Sequence, residues 1–275
     1  MIDTNTQLFG VIGNPVAHSL GPSMHNAALQ AMGYPAVYLA FKVDDPAGAV
    51  TAVRALGLGG LSVTIPHKVS IMEHLDKIDP LAHQIGAVNT VVNRNGVLTG
   101  YNTDCYGAVA ALQEKTDLTG KRAAVLGAGG AARALCFSLK SEGADVVIYN
   151  RNTDRGKALA LALDVEFRPL NDLIETDTAL DADLVINTTS VGMTPDVDNS
   201  PLPKKALASY MVVMDIVYTP LETKLLKIAR TAGCTTVDGL TMFILQGVRQ
   251  LELWTGLKPP IATMRRVVEE VLQRI

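Results

Sequence analysis

The chain has 275 residues, 48% of them hydrophobic and 19% charged, with a formal net charge of −3. At roughly 150 residues per domain this length predicts about two domains, and the dispersed Lys and Arg of a mildly acidic chain give no electrostatic footprint for nucleic acid. No stretch approaches the ~18–20 uninterrupted apolar residues of a membrane span, and the opening Met1-Ile2-Asp3-Thr4-Asn5 lacks a basic-then-apolar signal pattern, so the expected location is cytoplasmic.

Short β-branched runs alternate with helical stretches, which predicts βαβ units and an α/β fold. In the first part, strands are expected at 8–12, 37–43 and 60–64, with helices at 23–32 and 47–56. Asn95-Gly96 lies between strands at 91–93 and 97–100. It reads as a hairpin turn, because both central positions of a type I′ turn need positive φ. After Thr119-Gly120 a second pattern begins: strand 123–126, helix 131–142, strand 145–149, then strands at 184–187, 212–215 and 235–237. This is the layout of a Rossmann-like, doubly wound nucleotide-binding sheet. Helices at 240–254 and 261–272, separated by Pro259-Pro260, close the chain and are expected to return to the first domain. The expected division is therefore 1–104, 105–239 and a C-terminal helical segment 240–275.

Gly127-Ala128-Gly129-Gly130-Ala131-Ala132 directly follows the strand 123–126 and fits G-x-G-x-x-G/A at a strand-to-helix junction. Glycines there let the backbone approach a pyrophosphate seated on the helix N-terminus. An NAD-specific fold usually ends the next strand in Asp or Glu to bind the ribose 2′-hydroxyl. Here the strand runs into Tyr149-Asn150-Arg151-Asn152, with Arg155 soon after. Two arginines suit the 2′-phosphate of NADP through charge-assisted hydrogen bonds, so NADP(H) is the expected cofactor.

Chemistry also gathers in the first part. Ser62-Val63-Thr64-Ile65-Pro66-His67-Lys68 places a hydroxyl and an amine beyond a buried strand, Asn89-Thr90 follows Gly86-Ala87-Val88, and Asn102-Thr103-Asp104 ends the hairpin. With His18-Ser19-Leu20-Gly21-Pro22 and Met24-His25-Asn26, these segments resemble the shikimate/quinate dehydrogenase family. N-R-x-x-x-R at 150–155, N-T-T-S-V-G-M at 187–193, and the stretches 215–225 and 238–256 carry the resemblance along essentially the whole chain.

The resemblance implies NADP-dependent reduction of 3-dehydroshikimate in aromatic amino-acid biosynthesis, with shikimate on the first domain, NADP(H) on the second and catalysis between them. Lys68 and Asp104 match the family's catalytic residues. Ketone reduction leaves an alkoxide that needs a proton or a positive charge. Lys68 is expected to protonate it, and its neutral amine to take the proton back in the reverse direction. Asp104 is expected to pair with Lys68 and accept a hydrogen bond from a neighbouring substrate hydroxyl. The same match places Thr64, Asn89, Asp104 and Gln246 around the ring hydroxyls and Ser19 and Tyr218 near the carboxylate. It places Gly127, Ala128, Gly129, Gly130, Ala131, Asn150, Arg151 and Arg155 on the cofactor's phosphates and ribose. Thr188, Met193, Ile216, Gly239 and Met242 fall on the nicotinamide side.

Two positions depart from the commonest family pattern: Gly21 stands where a second serine is usual, and Ser62 where asparagine is common. A missing hydroxyl removes a hydrogen bond to a charged group worth roughly 1.5–3 kcal/mol. It also opens space for a substituent on the acid-bearing carbon, as in quinate; the other reading, which is favoured, is that water or the backbone N–H replaces the hydroxyl. Broader quinate/shikimate activity is therefore one alternative, methylenetetrahydrofolate dehydrogenase another, and a non-catalytic sensor of NADP and a cyclohexene acid a third. Cys105, Cys136 and Cys234 have no C-x-x-C spacing and read as reduced packing residues. The five histidines have no zinc spacing, so no metal is expected, and His67 reads as a residue that shapes its loop. The expected partner is a small-molecule substrate, on a monomer or homodimer.

Overall fold

Gly60-Leu61-Ser62-Val63 is buried at all four positions, as a strand covered on both faces requires. It forms one strand of the first of two sheets in this computed structural model, which describes residues 2–175 and 178–274. The chain divides into two units, Met1–Tyr106 with Ile244–Ile275, and Gly107–Phe243.

The first unit contains β1 (Gln7–Gly13), α1 (Gly21–Ala31), β2 (Ala36–Lys42), α2 (Pro46–Ala55), β3 (Gly60–Val63), β4 (Lys77–Ile78), α3 (Pro80–Ile85), β5 (Thr90–Arg94) and β6 (Val97–Tyr101). The sheet order is β2-β1-β3-β5-β6-β4. β1, β2 and β3 run parallel, and β5 reverses direction against β3. Asn95 and Gly96 take φ 54 and 87 in the β5–β6 turn, as that dipeptide predicts. Asp45 and Asp79 cap α2 and α3, each accepting from a backbone N–H two residues on, with a proline in the first helical turn. Ile12, Leu61, Val63, Val88, Val91 and Leu98 form the core together with Val50 and Val53 of α2.

α4 (Asp104–Gln113) carries the chain across the division into the second unit, which holds β7 (Arg122–Leu126), α5 (Gly130–Ser141), β8 (Asp145–Asn150), α6 (Thr153–Leu163), β9 (Glu166–Pro169), α7 (Asn171–Glu175), β10 (Leu184–Asn187), β11 (Val212–Asp215), α8 (Lys224–Thr231) and β12 (Thr235–Val237). All pairings in its sheet are parallel, in the order β9-β8-β7-β10-β11-β12. That is the 3-2-1-4-5-6 order of the doubly wound dinucleotide-binding fold. α9 (Gly239–Thr255) begins in this unit and ends in the first, where α10 (Ile261–Leu272) packs on α1. No helix among the described residues is long and apolar enough to cross a membrane.

Every strand and helix expected by position is present, with ends shifted by two residues or fewer. β4 and β9 are too short to stand out in the sequence: β4 has two residues, and β9 has four, at a sheet edge, and stops at Pro169.

Candidate functional site

Lys68 follows β3 and Asp104 opens α4, and the two side chains meet, Lys68 Nζ donating to Asp104 Oδ2 at 2.6 Å. They remain partly open, with 32% and 22% of each side chain exposed. The loop that carries Lys68 is fixed from both sides. The buried His67 donates through Nε2 to Val43 O at 2.7 Å, and Val88 N donates to Lys68 O at 2.8 Å. His67 thus shapes the loop, as its position suggests. Asn102 Oδ1 accepts from Asp104 N at 3.1 Å and orients the start of α4.

Beside this pair lies a buried polar cluster. Asn89 Oδ1 accepts from Thr103 N at 2.7 Å and from Thr90 Oγ1 at 2.8 Å, while Asn89 Nδ2 donates to Thr103 Oγ1 at 3.0 Å. Gln246, on α9, accepts from Thr103 Oγ1 at 3.4 Å. Four of the predicted substrate residues, Lys68, Asn89, Asp104 and Gln246, are therefore linked directly or through Thr103 and its neighbour within one unit. Thr64 is half-buried at the end of β3, next to Gly13. Ser19 is half-buried and accepts from Gly21 N at 3.2 Å.

Gly21 has close neighbours on the side where a side chain would project. A Cβ there would lie 3.2 Å from Ser19 Oγ, 3.3 Å from Tyr38 Cε1 and 3.4 Å from Tyr38 Oη. A side chain at this position is therefore tight against Ser19 and Tyr38, which would have to give by a few tenths of an ångström. Tyr38 is itself buried, stacks on His25 with centroids 4.2 Å apart and donates to Ser62 Oγ at 2.6 Å. Burial lowers the pKa of His25 to about 4, against smaller upward contributions from Gly21 O and Gln250, and pushes that of the Tyr38 phenol upward.

In the second unit, Gly127 has φ +118, and a Cβ on it would sit 2.6 Å from Thr188 Oγ1. Only glycine satisfies both the angle and the approach. Thr188 in turn donates to Leu126 O at 2.6 Å and pins the loop after β10 against the glycine turn. Gly129 caps α5 without any side-chain hydrogen bond, which leaves the first N–H groups of the helix to a ligand. A Cβ on Gly130 would meet nothing within 4 Å, and one on Gly129 would meet only the Arg155 guanidinium at 4.0 Å. Arg155 reaches back to this loop, Nε donating to Ala128 O at 2.9 Å. Ala131 lies in the first turn of α5, Asn150 donates to Asn152 O at 2.8 Å, and Arg151 is exposed. An uncapped helix start, an open glycine turn and a neighbouring guanidinium fit a phosphate-bearing dinucleotide.

Ile216 and Gly239 touch, since a Cβ on Gly239 would lie 2.5 Å from Ile216 O. Tyr218 stacks on Phe243 at 5.1 Å. Met193 is exposed and Met242 half-buried, so neither is a core residue. At the end of β11, just before Ile216, lies a cluster that sequence reasoning left without a role: Asp215 accepts from Asn187 Nδ2, Val217 N and Thr223 Oγ1 at 2.9, 3.0 and 2.7 Å. Burial raises the pKa of Asp215 to about 6 in spite of those three donors. Cys105, Cys136 and Cys234 are buried.

Comparison with known proteins agrees with this geometry. Residues 11–91 match the model of the shikimate dehydrogenase substrate binding domain, 109–240 that of shikimate / quinate 5-dehydrogenase, and 239–269 that of the shikimate 5'-dehydrogenase C-terminal domain. A shikimate dehydrogenase (NADP(+)) of Bacillus cereus is 46% identical over 273 residues, covering 97% of this chain and 99% of the relative. A crystal structure of a shikimate dehydrogenase in complex with NADP+ superposes with a TM-score of 0.92 at 40% identity, covering 99% of this chain and 98% of the other. The Thermus thermophilus enzyme, crystallised with NADP(H) and shikimate, gives 0.88 at 38% identity, with 96% and 99% covered. On these matches, which span nearly its full length, the chain belongs to the shikimate dehydrogenase family.

Proposed function

We propose that this protein catalyses the reversible, NADPH-dependent reduction of 3-dehydroshikimate to shikimate in aromatic amino-acid biosynthesis. The observation that carries the reading is the 2.6 Å contact between Lys68 Nζ and Asp104 Oδ2, partly open to solvent, in a chain of this family. The first unit is the substrate and catalytic part and the second the cofactor part.

NADPH supplies the hydride. The chain's own task is to stabilise the oxygen that becomes an alkoxide and to give it a proton, which a positioned acid accelerates by about 10²–10⁴-fold. The Lys68 ammonium delivers that proton and is recharged from solvent; in the oxidative direction the amine removes it. Asp104 holds the ammonium through one oxygen, which leaves Oδ1 to accept from a neighbouring ring hydroxyl. Thr64, Asn89 and Gln246 bind the remaining hydroxyls, and Ser19 and Tyr218 the carboxylate. Such polar groups reject analogues that leave them unpaired. Gly127 through Ala131, Asn150, Arg151 and Arg155 hold the cofactor's phosphates and ribose, while Thr188, Met193, Ile216, Gly239 and Met242 enclose its nicotinamide end. The protein works in the cytoplasm as a monomer or homodimer.

A spectrophotometric panel of shikimate and quinate against NADP and NAD tests the reading. The expected result is the highest kcat/KM for shikimate with NADP. Comparable values for quinate would broaden the assignment to a quinate/shikimate dehydrogenase, and binding of both ligands without NADPH formation would replace it with a sensor.

A further inference from the structure

Ser62 and Gln250 are 188 residues apart in sequence, both buried, and joined by a hydrogen bond of 3.0 Å from Ser62 Oγ to Gln250 Oε1. Gln250 Nε2 donates onward to Thr90 Oγ1 at 2.9 Å and to Asn89 O at 3.4 Å. Thr90 then donates to Asn89 Oδ1 at 2.8 Å, and Tyr38 donates to Ser62 at 2.6 Å. The result is one chain of hydrogen bonds running from Tyr38 through Ser62, Gln250 and Thr90 to Asn89.

Backbone groups fix its direction. Thr103 N can only donate, so the atom of Asn89 that it meets at 2.7 Å must be the carbonyl oxygen. Asn89 O can only accept, so the atom of Gln250 facing it must be the amide nitrogen. Thr90 is therefore a donor to Asn89 and an acceptor from Gln250. Gln250 Oε1 is left to accept from Ser62, whose remaining capacity accepts from Tyr38. The Asn89 oxygen is committed to the protein interior, and Nδ2 directs one hydrogen to Thr103 Oγ1. The other hydrogen is what Asn89 can offer a ligand.

We propose that Gln250 is a positioning residue for substrate recognition. Acting through Thr90 and the Asn89 carbonyl, it holds the Asn89 amide so that Nδ2 faces the substrate as a hydrogen-bond donor. Ser62 in this chain serves that brace instead of the substrate. Gln246, one helical turn earlier on α9, accepts from Thr103, so a single helix face sets both sides of the Asn89 amide. The inference rests on the assignment of Asn89 to the substrate.

The test is steady-state kinetics with shikimate and NADP on Gln250→Met, Thr90→Val, Asn89→Ala and the double variant Asn89→Ala/Gln250→Met. Gln250→Met is expected to raise KM for shikimate about tenfold, the scale of one misdirected buried hydrogen bond, while KM for NADP stays at the parental value. In the Asn89→Ala background the same change is expected to add nothing further to KM for shikimate, an outcome that a purely structural role would not give. Thr90→Val breaks the same chain with almost no change in shape and is expected to act in the same direction, which keeps the test open if Gln250→Met does not fold. An unchanged KM for shikimate in Gln250→Met or Thr90→Val overturns the proposal, as does an equal rise with and without Asn89. An unchanged KM in Asn89→Ala overturns the assignment of Asn89 to the substrate and the proposal with it. An effect at Asn89 alone overturns the proposal and spares the assignment.

Discussion

Lys68 and Asp104, separated by 36 residues in sequence, share a hydrogen bond of 2.6 Å between Nζ and Oδ2. The loop beyond β3 supplies one partner and the first turn of α4 the other, so the pair forms only when the first sheet is assembled. Because both side chains are partly exposed, their separation costs little stability. Lys68→Met is expected to leave Tm within a few degrees and to reduce kcat by at least about 10²-fold, the loss expected of a missing general acid. Stopped-flow or steady-state assays paired with a thermal melt check this. Near-parental turnover would assign the proton transfer elsewhere.

Arg155 is already bound to the loop it is proposed to serve, through Ala128 O at 2.9 Å. Arg151 is exposed just after β8 and Arg155 lies in the first turn of α6; under the proposed assignment the two guanidiniums meet the 2′-phosphate that NADP has and NAD lacks. The Arg151→Ala/Arg155→Ala variant is expected to raise KM for NADP by about 10²-fold or more, at roughly 1.5–3 kcal/mol per charge-assisted hydrogen bond, with KM for NAD nearly unchanged. Equal losses with both cofactors would point to a collapsed loop instead.

At Gly21 the neighbours are close enough that a new side chain must displace something. Tyr38 is fixed by Ser62 and by stacking on His25, so it has little room to give way. Gly21→Ser is therefore expected to lower stability by about 1–3 kcal/mol, as overpacking generally does. Denaturant melts of Gly21→Ser and Gly21→Ala test this. A parental midpoint in both would show that Tyr38 yields freely, and that the family's usual serine could be accommodated here.

His25 and Asp215 pull stability in opposite directions with pH. The pKa of His25 is about 4 in the folded chain against 6.5 as its ordinary value. Its contribution is complete above pH 6.5 and is lost as the pH falls toward 4, because only the unfolded chain takes up the proton. The pKa of Asp215 is about 6 against 3.8. Its folded form favours the protonated acid, so stability is complete below pH 3.8 and is lost as the pH rises to 6. Asp215→Asn is expected to match the parent near pH 4 and to exceed it at pH 8. His25→Phe is expected to flatten the acid side of the stability profile. A Tm series from pH 4 to 8 on both variants decides, and parallel profiles for parent and variants would contradict both assignments.

The glycine turn was legible because its cause is local. Gly127 must take positive φ, and the helix that follows needs an open N-terminus, so spacing alone reveals it. The doubly wound order likewise follows from strands 145–149, 184–187 and 212–215 being short, apolar and regularly interrupted. Gln250 was not legible in this way. Its partners Ser62 and Thr90 lie 188 and 160 residues away, and a glutamine on a helix in sequence looks like surface. Asp215 was hidden for the same reason, since a carboxylate closing a strand suggests solvent until Asn187 and Thr223 are seen to enclose it. The closeness of Tyr38 to Gly21 was not legible either, since the ring arrives from β2, a contact that no spacing rule encodes.

Trp254 is the chain's single tryptophan, and it is almost wholly buried in the first unit, its ring 5.1 Å from Phe9 and its Nε1 donating to Val91 O at 3.0 Å. Intrinsic indole emission therefore reports on one unit and is silent about the other. Far-ultraviolet circular dichroism sees the helices of both. If the two halves open together, the fluorescence and dichroism midpoints coincide; if they open separately, the midpoints part. The protein thus carries a built-in optical label that separates the unfolding of its first unit from that of its second.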